Sequence, residues 1–540
     1  MRHFLISSMF LASVSSFAQQ FTHQDSIRGS ITPERAWWDL NDYDLQVKVV
    51  PDQKFIQGSN TISYTVLSAY QTLQVDLQPP MEMDSVIAYG EKLHVRHDGN
   101  AHYIELTKKQ HIGATNQLTV YFSGQPREAV RAPWDGGFSW SEDQNGTPFI
   151  ATSCQGLGAS VWWPNKDHMY DEAEHFKISV TTPSHLMDVS NGQLIKTVVD
   201  NDWTTYTWEV NNPINNYGVN VNIGDYAHFG EQYQGEKGPL KLDYYVLKED
   251  LEKAKKQFKQ TTKMLEAFEY WFGPYPFYED GFKLVQVPYL GMEHQSSVTY
   301  GNKFKNGYLG SDLSGTGWGL KFDFIIIHEA GHEWFANNIT YKDAADMWIH
   351  EGFTAYSENL YLDYHFSKEA SRAYVIGTRK RIQNDRPIIG HYDVNSEGSG
   401  DMYYKGAAIL HMIRTIIDDD QKWRAILRGL NSEFYHQTVT TDQIESYIIQ
   451  QSGVDLSAFF DQYLRTADLP VLELKKKKNT LYYRFTDVSD QFTMPFDLEI
   501  NGELIRVTGA AHWKSLEVEN NESAIAVSED YYLIINTIEE

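Results

Sequence analysis

The hydrophobic residues of this chain change their spacing twice along its length, and this change constrains the fold more than any other feature of the sequence. Over residues 19–232 apolar and polar side chains alternate, as in the segment 43–49, which is typical of half-buried strands. From about Lys248 the apolar residues fall at helical spacing, and past Pro470 the alternation returns. The sequence therefore predicts a multidomain α+β protein.

These changes of spacing divide the chain into three units. We expect an N-terminal all-β domain over 19–232, a mostly helical domain over 233–466 and a small, β-sandwich-like C-terminal domain over 467–540. A chain of 540 residues is long enough to form several separate hydrophobic cores.

The charge of the chain argues against two classes of partner. There are 46 Lys and Arg residues against 72 Asp and Glu residues, which gives a formal net charge of −26 at pH 7. Nucleic acids and anionic membranes both require a basic protein surface. We therefore expect no nucleic-acid partner. No later stretch has the roughly 20 consecutive apolar residues of a transmembrane helix, so we also expect no membrane span.

The first 18 residues have the pattern of a cleavable secretory signal. Arg2 precedes an apolar run from Phe4 to Val14, and the short segment 15–18 that follows is rich in small residues. This pattern predicts a signal peptide at 1–18 and an exported protein, periplasmic or extracellular. Cys154 is the only cysteine of the chain, so no intrachain disulfide can form.

Two histidines four residues apart follow an apolar run in the helical unit. We expect one helix from Phe322 to about Asn338, and on it His328 and His332 project from the same face. This pair suits two imidazoles that bind one tetrahedral metal ion. Glu329, beside the first histidine, can act as the general base of a metallopeptidase.

Glu351, nineteen residues after the second histidine, is the preferred third ligand. Two histidines and one carboxylate leave a fourth position open for water, which distinguishes catalytic zinc from structural zinc. His350 is an alternative ligand, and Glu333 and Glu358 are alternative carboxylates. The sequence thus predicts one Zn²⁺ per chain, held by the two histidines and Glu351.

The set His328-Glu329-x-x-His332 followed by Glu351 resembles the aminopeptidase N and leukotriene-hydrolase family of zinc metallopeptidases, one of the gluzincins. The resemblance covers most of the chain in domain order and implies that the helical unit is a thermolysin-like catalytic domain. It implies a zinc aminopeptidase that acts on peptides with a free N-terminus. Many members continue with a large helical C-terminal domain, and we expect a bacterial, secreted member without one.

The segment Gly291-Met292-Glu293-His294 looks like the exopeptidase signature Gly-x-Met-Glu-Asn of this family, with His294 where Asn is usual. The match implies that Glu293 binds the α-ammonium group of the substrate. It also implies that the backbone of Gly291 and Met292 holds the peptide extended as an added strand. A carboxylate at a set distance from the zinc allows only the first peptide bond to reach the catalytic water.

The segment Tyr403-Tyr404-Lys405-Gly406 is similar to the Tyr-x-Lys-Gly segment of the family. By this match Tyr403 donates a hydrogen bond to the oxyanion of the tetrahedral intermediate, a contact worth roughly 3 kcal/mol. The neighbouring Tyr404 is then a packing residue.

The segment Thr152-Ser153-Cys154-Gln155 resembles the part of the N-terminal domain that reaches the active site in this family. Gln155 would help Glu293 to hold the amine. Ser153 stands where some members carry a second glutamine, so the contacts to the amine can differ here.

Other functions are compatible with the same residues. A zinc endopeptidase of thermolysin type has the same metal site and would cleave N-terminally blocked peptides. An exported, non-catalytic metal-binding or scaffold protein would be indicated by the loss of a ligand or of Glu329, and none is lost. Hydrolysis of a lipid epoxide occurs in the resembled family, but none of these residues selects it. The sequence indicates no oligomeric state.

Overall fold

The structure is a computed structural model and describes residues 21–519 and 523–538. The predicted signal peptide at 1–18 lies outside the described residues. Within these ranges, no helix combines the length and the apolar character that crossing a membrane requires. The three units follow in the predicted order, which confirms the predicted fold class.

The N-terminal unit consists of an eight-stranded sheet and two smaller sheets, with two short helices before the first strand. Its helices are α1 (His23–Gly29) and α2 (Pro33–Ala36). Its strands are β1 (Trp38–Val50), β2 (Phe55–Val66), β3 (Thr72–Asp76), β4 (Glu82–Ala88), β5 (Glu91–Lys92), β6 (His94–Asp98), β7 (Ala101–Glu105), β8 (Thr115–Gly124), β9 (Gly137–Glu142), β10 (Pro148–Ser153), β11 (His175–Pro183), β12 (Met187–Val189), β13 (Gln193–Asp200), β14 (Trp203–Val210) and β15 (Asn222–Gly224). The sheet orders are β13-β14-β11-β1-β2-β8-β4-β5, β12-β15-β10-β9 and β3-β7-β6. The alternating residues Leu45, Val47 and Val49 are all buried in its core.

The middle unit packs nine helices around a five-stranded sheet of order β16-β17-β18-β20-β19 among the described residues. Its helices are α3 (Leu251–Gln257), α4 (Gln260–Phe272), α5 (Phe324–Gly331), α6 (Trp348–His365), α7 (Lys368–Thr378), α8 (Tyr404–Ile417), α9 (Asp420–Glu433), α10 (Thr441–Ser452) and α11 (Ser457–Arg465). Its strands are β16 (Tyr226–Gly235), β17 (Gly238–Leu247), β18 (Phe282–Gln286), β19 (Gly291–Met292), β20 (Val298–Tyr300) and the parallel pair β21 (Ile339–Tyr341) and β22 (Gln437–Val439). The predicted boundary between residues 232 and 233 falls inside β16, which pairs with β17 in this sheet.

The helix that carries the two histidines is shorter than predicted. It begins at Phe324, where the side chain of Asp323 accepts a hydrogen bond from the backbone N–H of Ile325, and it ends at Gly331 instead of Asn338. The following residues 333–338 leave regular helical geometry, with Phe335 at φ −128° and ψ 79°, and the chain then enters β21. His332 keeps helical dihedral angles (φ −65°, ψ −18°), so the two histidines still lie one turn apart.

The C-terminal unit consists of two small sheets of order β27-β24-β23-β29 and β26-β25-β28. Its strands are β23 (Val471–Lys477), β24 (Thr480–Thr486), β25 (Thr493–Ile500), β26 (Glu503–Ala510), β27 (Lys514–Glu517), β28 (Ile525–Val527) and β29 (Ile534–Thr537). Buried side chains such as Phe485 and Phe496 belong to the same hydrophobic core as Leu410 of α8. The C-terminal sheets therefore support the helices of the middle unit from one side.

Short 3₁₀ turns connect several of these elements. They lie at Pro51–Gln53, Ala159–Val161, Lys248–Asp250, Trp318–Leu320, Ala344–Asp346, Arg379–Arg381 and Gly400–Met402.

Candidate metal and amine-binding site

Three buried side chains from two adjacent helices meet at one point. His328 and His332 lie on α5 and its C-terminal end, and Glu351 lies in the first turn of α6. The Oε2 atom of Glu351 is 3.7 Å from Nε2 of His328 and 3.4 Å from Nε2 of His332. Residues far apart in the sequence thus form the compact group that the spacing of the two histidines and the acid predicts.

The close approach of α5 and α6 depends on Gly331. A Cβ atom at this position would lie 2.6 Å from Oγ of Ser357 and 3.1 Å from Cγ2 of Thr354. Any larger residue would push the two helices apart, since neither neighbouring atom belongs to a long flexible side chain. The glycine between the two histidine-bearing turns therefore allows the third ligand to reach them.

The opposite nitrogen of each imidazole has its own partner. Nδ1 of His328 lies 2.8 Å from Oε1 of Glu358. Nδ1 of His332 lies 3.1 Å from the backbone oxygen of Phe335 and 3.0 Å from Oγ1 of Thr354. A hydrogen bond from Nδ1–H to these acceptors leaves the lone pair of each Nε2 directed at Glu351.

The three atoms fit a divalent metal ion such as zinc. Oε2 of Glu351 is buried and has no hydrogen-bond partner among the described residues. It faces the Nε2 atoms of both histidines, and all three ligand atoms lie within 4.8 Å of one another. Two imidazoles and one carboxylate that converge in this way are a donor set that zinc prefers.

The alternative ligands that the sequence leaves open are used elsewhere. Nε2 of His350 accepts a hydrogen bond from the backbone N–H of Tyr341 at 2.9 Å. The carboxylate of Glu333 accepts hydrogen bonds from the backbone N–H of Ser296 and the hydroxyl of Tyr275. Glu358 holds the far side of the first histidine, as described above. This role of Glu358 has no sequence signature beyond its position two turns after Glu351 on the same helix.

Glu329 lies close to one of the proposed ligands, His332. Carboxylate oxygens of Glu329 and Glu293 and a ring nitrogen of His332 all lie within 4.8 Å of one another. Burial raises the pKa of Glu329 to about 7, and the neighbouring Glu293 carboxylate acts in the same direction. A carboxyl group with a pKa near neutrality can both accept and return a proton at physiological pH.

Glu293 is held by side chains that reach it from the N-terminal unit. Nε2 of Gln155 donates to its Oε1 at 2.8 Å, and the hydroxyl of Tyr217 donates to the same oxygen at 3.0 Å. Gln155 also lies 3.3 Å from Oε1 of Glu351, so it connects the two carboxylates. Tyr217 is a residue that the sequence analysis missed, because it lies in a loop between strands and belongs to no recognised motif.

Gly291 and Met292 form β19, the edge strand of the five-stranded sheet. A Cβ atom on Gly291 would lie 2.6 Å from Cγ2 of Ile325 and 3.3 Å from Cγ of Glu329, so the edge lies directly against the histidine-bearing helix. An edge strand has unpaired backbone groups that an extended peptide can use. Nδ1 of His294 lies 3.3 Å from Oγ1 of Thr299, a residue of the neighbouring strand β20.

Tyr403 precedes α8 and lies against the first histidine. The rings of Tyr403 and His328 have centroids 6.0 Å apart and planes 20° apart. Burial, and then the nearby carboxylates of Glu351 and Glu293, raise the pKa of Tyr403 well above its usual value. Its hydroxyl therefore keeps its proton at neutral pH and is a hydrogen-bond donor. Tyr404 is the first residue of α8 and packs against the hydrophobic core.

Comparison with protein families identifies both large units of the chain. A model described as Peptidase M1 N-terminal domain matches residues 40–217, and a model described as Peptidase family M1 domain matches residues 256–463. Together the two matches span most of the chain. They confirm the family resemblance inferred from the motifs.

Individual relatives are distant and longer. A probable aminopeptidase 1 of Sulfurisphaera tokodaii is 22% identical over 441 residues, which are 76% of this chain and 53% of the relative. Leukotriene A-4 hydrolase of Xenopus laevis is 22% identical over 344 residues, which are 59% of this chain and 53% of the relative. This chain spans about half the length of the curated relatives it matches.

Solved structures show the same fold. A mutant of an M1 zinc metallopeptidase of Deinococcus radiodurans, crystallised with a Tyr-Ser-Ala substrate, superimposes with a TM-score of 0.68 at 19% identity. The match covers 81% of this chain and 96% of that chain. Since both domain models and the fold agree with the arrangement of the buried histidines and glutamates, the chain belongs to peptidase family M1.

Proposed function

We propose that this chain is a zinc aminopeptidase that removes N-terminal residues from peptides. The observation that carries this proposal is the position of Glu293. Its buried carboxylate lies within 4.8 Å of a ring nitrogen of His332 and a carboxylate oxygen of Glu329, and it is oriented by Gln155 and Tyr217. A carboxylate at this distance can bind an α-ammonium group when the first peptide bond is at the metal ligands. The aminopeptidase relatives named above support the same activity.

In this proposal one zinc ion is held by His328, His332 and Glu351, and when bound it supplies a Lewis acid that activates water and polarises the scissile carbonyl. Glu329 takes a proton from the attacking water and returns it to the leaving amine. Tyr403 donates a hydrogen bond to the developing oxyanion.

The edge strand β19 orients the substrate in the same proposal. The peptide lies extended along Gly291 and Met292, and its backbone forms hydrogen bonds with this edge. The amine reaches Glu293 at the end of the strand. Binding the first residue at the amine and along the backbone holds the scissile bond in one position, which reduces the entropic cost of reaching the transition state.

Metal analysis combined with a panel of chromogenic substrates tests this function. Purified protein should contain about one zinc per chain and should hydrolyse aminoacyl para-nitroanilides with a free amine. Chelation should abolish this activity, and added zinc should restore it. Hydrolysis of N-acetylated peptides in place of free-amine substrates would instead indicate an endopeptidase. Zinc without any peptidase activity would indicate a non-catalytic metal-binding or scaffold protein.

Glu293→Ala separates the aminopeptidase from the endopeptidase. We expect kcat/KM on free-amine substrates to fall about 100-fold or more, because a hydrogen-bonded charge pair with the substrate is lost. Glu266→Ala is the matched control, since this glutamate is exposed on α4. Full activity of Glu293→Ala on free-amine substrates would contradict the proposal.

We also propose that the protein is exported, to the periplasm or the medium. Support comes from the sequence of residues 1–18, with its basic start, short apolar run and small-residue end. N-terminal sequencing of protein recovered from the periplasmic and extracellular fractions tests this. A mature chain that begins near residue 19 is expected, and an intact Met1 in the cytoplasmic fraction would contradict it.

A further inference from the structure

A cavity of about 360 Å³ lies beside the Glu293 carboxylate. Gln155 and Tyr217, which both hydrogen-bond to Glu293, form one of its sides. Met347, whose backbone oxygen accepts a hydrogen bond from the N–H of Glu351, forms another. The amine and the side chain of a residue share one Cα atom, so a peptide whose amine binds Glu293 can place its first side chain in this adjacent cavity. The cavity has the size of a small-ligand site.

Arg28, in the last turn of α1, lines this cavity. Its side chain is only 20% exposed, and the nearest carboxylate, that of Asp167, is 4.0 Å from Nε. Within residues 21–519 and 523–538 the guanidinium donates no hydrogen bond to a protein acceptor. Asp167 is instead engaged by Ser160, whose hydroxyl donates to it at 2.5 Å. A guanidinium has five N–H donors, so Arg28 can donate hydrogen bonds to a ligand that enters this cavity.

The backbone that carries Arg28 is fixed by Arg35. One terminal nitrogen of this buried guanidinium donates to the backbone oxygens of Ile27, Arg28 and Ser30 at 2.8–3.0 Å. The other donates to the Asp76 carboxylate at 2.7 Å. The end of α1 is therefore held against the N-terminal unit, and the position of Arg28 is determined by buried contacts.

The opposite wall of the cavity is packed directly onto α1. The backbone N–H of Asn395 donates to the oxygen of Asp25 at 3.1 Å. A Cβ atom on Gly29 would lie 2.0 Å from the carbonyl carbon of Val394, so only glycine permits this approach. These contacts hold the segment 394–397 against α1 at this wall of the cavity.

The other free charges of the cavity lie at its rim. Lys342, Arg386 and Glu397 line it and are exposed. Arg386 donates a hydrogen bond to the backbone oxygen of Gly398 at 2.9 Å. Water can hydrate these exposed groups, whereas the Arg28 side chain is only 20% exposed.

We propose that Arg28 makes the enzyme selective for peptides whose first residue is aspartate or glutamate. The side-chain carboxylate of that residue would accept paired hydrogen bonds from the guanidinium, a geometry that suits arginine. This inference rests on the proposed aminopeptidase function, because it assigns the cavity to the residue whose amine binds Glu293. It adds the class of substrate and the residue that selects it.

Kinetics on matched substrates test the proposal. The para-nitroanilides of Glu and Gln differ only in charge, and those of Asp and Asn form a second pair. The wild-type kcat/KM should be at least about 10-fold higher for each acid than for its amide, as expected for a hydrogen bond to a charged group. Arg28→Gln should remove this preference. It should change kcat/KM for the Ala substrate by less than about 3-fold. Arg28→Glu should shift the preference towards substrates whose first residue is Lys. Arg386→Gln, at the rim, is the control and should retain most of the preference.

Binding without turnover provides a second measurement. In the Glu329→Gln variant, calorimetry should show tighter binding of the dipeptide Glu-Ala than of Gln-Ala. Adding Arg28→Gln to this variant should make the two affinities equal. An affinity for Glu-Ala that is equal to or weaker than that for Gln-Ala would overturn the role of Arg28. The same would follow if Arg28→Gln lowered kcat/KM equally for all substrates. Cleavage of the Ala substrate without acid selectivity overturns only this inference. Failure to cleave any free-amine substrate overturns the proposed function as well.

Discussion

Gly352 of α6 and Gly406 of α8 face each other across the contact between the helix that carries Glu351 and the helix that follows Tyr403. A Cβ atom on Gly406 would lie 2.6 Å from the Cα of Gly352, and one on Gly352 would lie 3.1 Å from the Cα of Gly406. The backbones approach this closely because neither residue has a side chain. The position of Tyr403 relative to the proposed zinc ligands therefore depends on these two glycines.

Gly406→Ala should move α8 away from α6. We expect a loss of about 1–3 kcal/mol in the free energy of unfolding, because a methyl group is forced into a closely packed contact. The kcat should fall as Tyr403 is displaced. Urea unfolding and steady-state kinetics measure the two effects. Gly400→Ala is the control, since a Cβ atom there meets no atom within 4 Å. Unchanged stability and kcat in Gly406→Ala would show that the helices adjust freely.

Tyr403→Phe and Tyr404→Phe form a matched pair on adjacent positions. If Tyr403 donates to the oxyanion, its loss should lower kcat about 100-fold, equivalent to about 3 kcal/mol, with little change in KM. Tyr404→Phe should retain kcat within about 3-fold, because its role is packing. Equal effects of the two substitutions on kcat would argue against the assigned donor.

Glu358→Ala should weaken zinc binding about 10- to 100-fold, because the Nδ1 atom of His328 loses the acceptor that orients the ring. Glu358→Gln retains an amide oxygen that can accept the same hydrogen bond and should have a smaller effect. Competition with a chromogenic chelator measures both affinities. An equal affinity of wild type and Glu358→Ala would show that the ring is held by packing alone.

Tyr217→Phe removes one of the two donors to Glu293 but leaves the carboxylate in place. We expect KM for free-amine substrates to rise by about 10-fold, the usual effect of one hydrogen bond to a charged group, with a smaller change in kcat. Tyr206→Phe serves as the control, since its hydroxyl contacts the backbone oxygen of Leu186 in the N-terminal sheet. A fall in kcat alone would place Tyr217 in a different role.

Removal of the metal should destabilise the fold as well as abolish activity. Zinc binds the folded site formed by His328, His332 and Glu351, and a ligand that binds only the folded state stabilises that state. Zinc at about 1,000 times its Kd should stabilise the protein by about 4 kcal/mol relative to the chelated form. Differential scanning calorimetry with and without a chelator measures this, and Glu351→Ala should show a much smaller difference. An identical Tm of both forms of the wild type would contradict the assigned ligands.

The sequence predicted the elements of the site that depend on local periodicity. The spacing of His328 and His332 places them on one face of a helix, whatever the rest of the fold. In the structure they lie on one face although the helix ends at Gly331. The end of the helix was wrong by seven residues, because the pairing of β21 with β22 requires the chain to turn. That pairing joins residues about a hundred positions apart, which no local pattern reveals.

Hydrophobic spacing and the i, i+4 pair of histidines determined the order of the domains and the chemistry of the metal site, because both are properties of short segments. Only the tertiary structure decided which distant groups surround that site. Tyr217 reaches Glu293 from a loop of the N-terminal unit, and Arg28 reaches the neighbouring cavity from the first helix. Such contacts arise from the packing of whole domains, which depends on close approaches between many residues and leaves no signature at any single position.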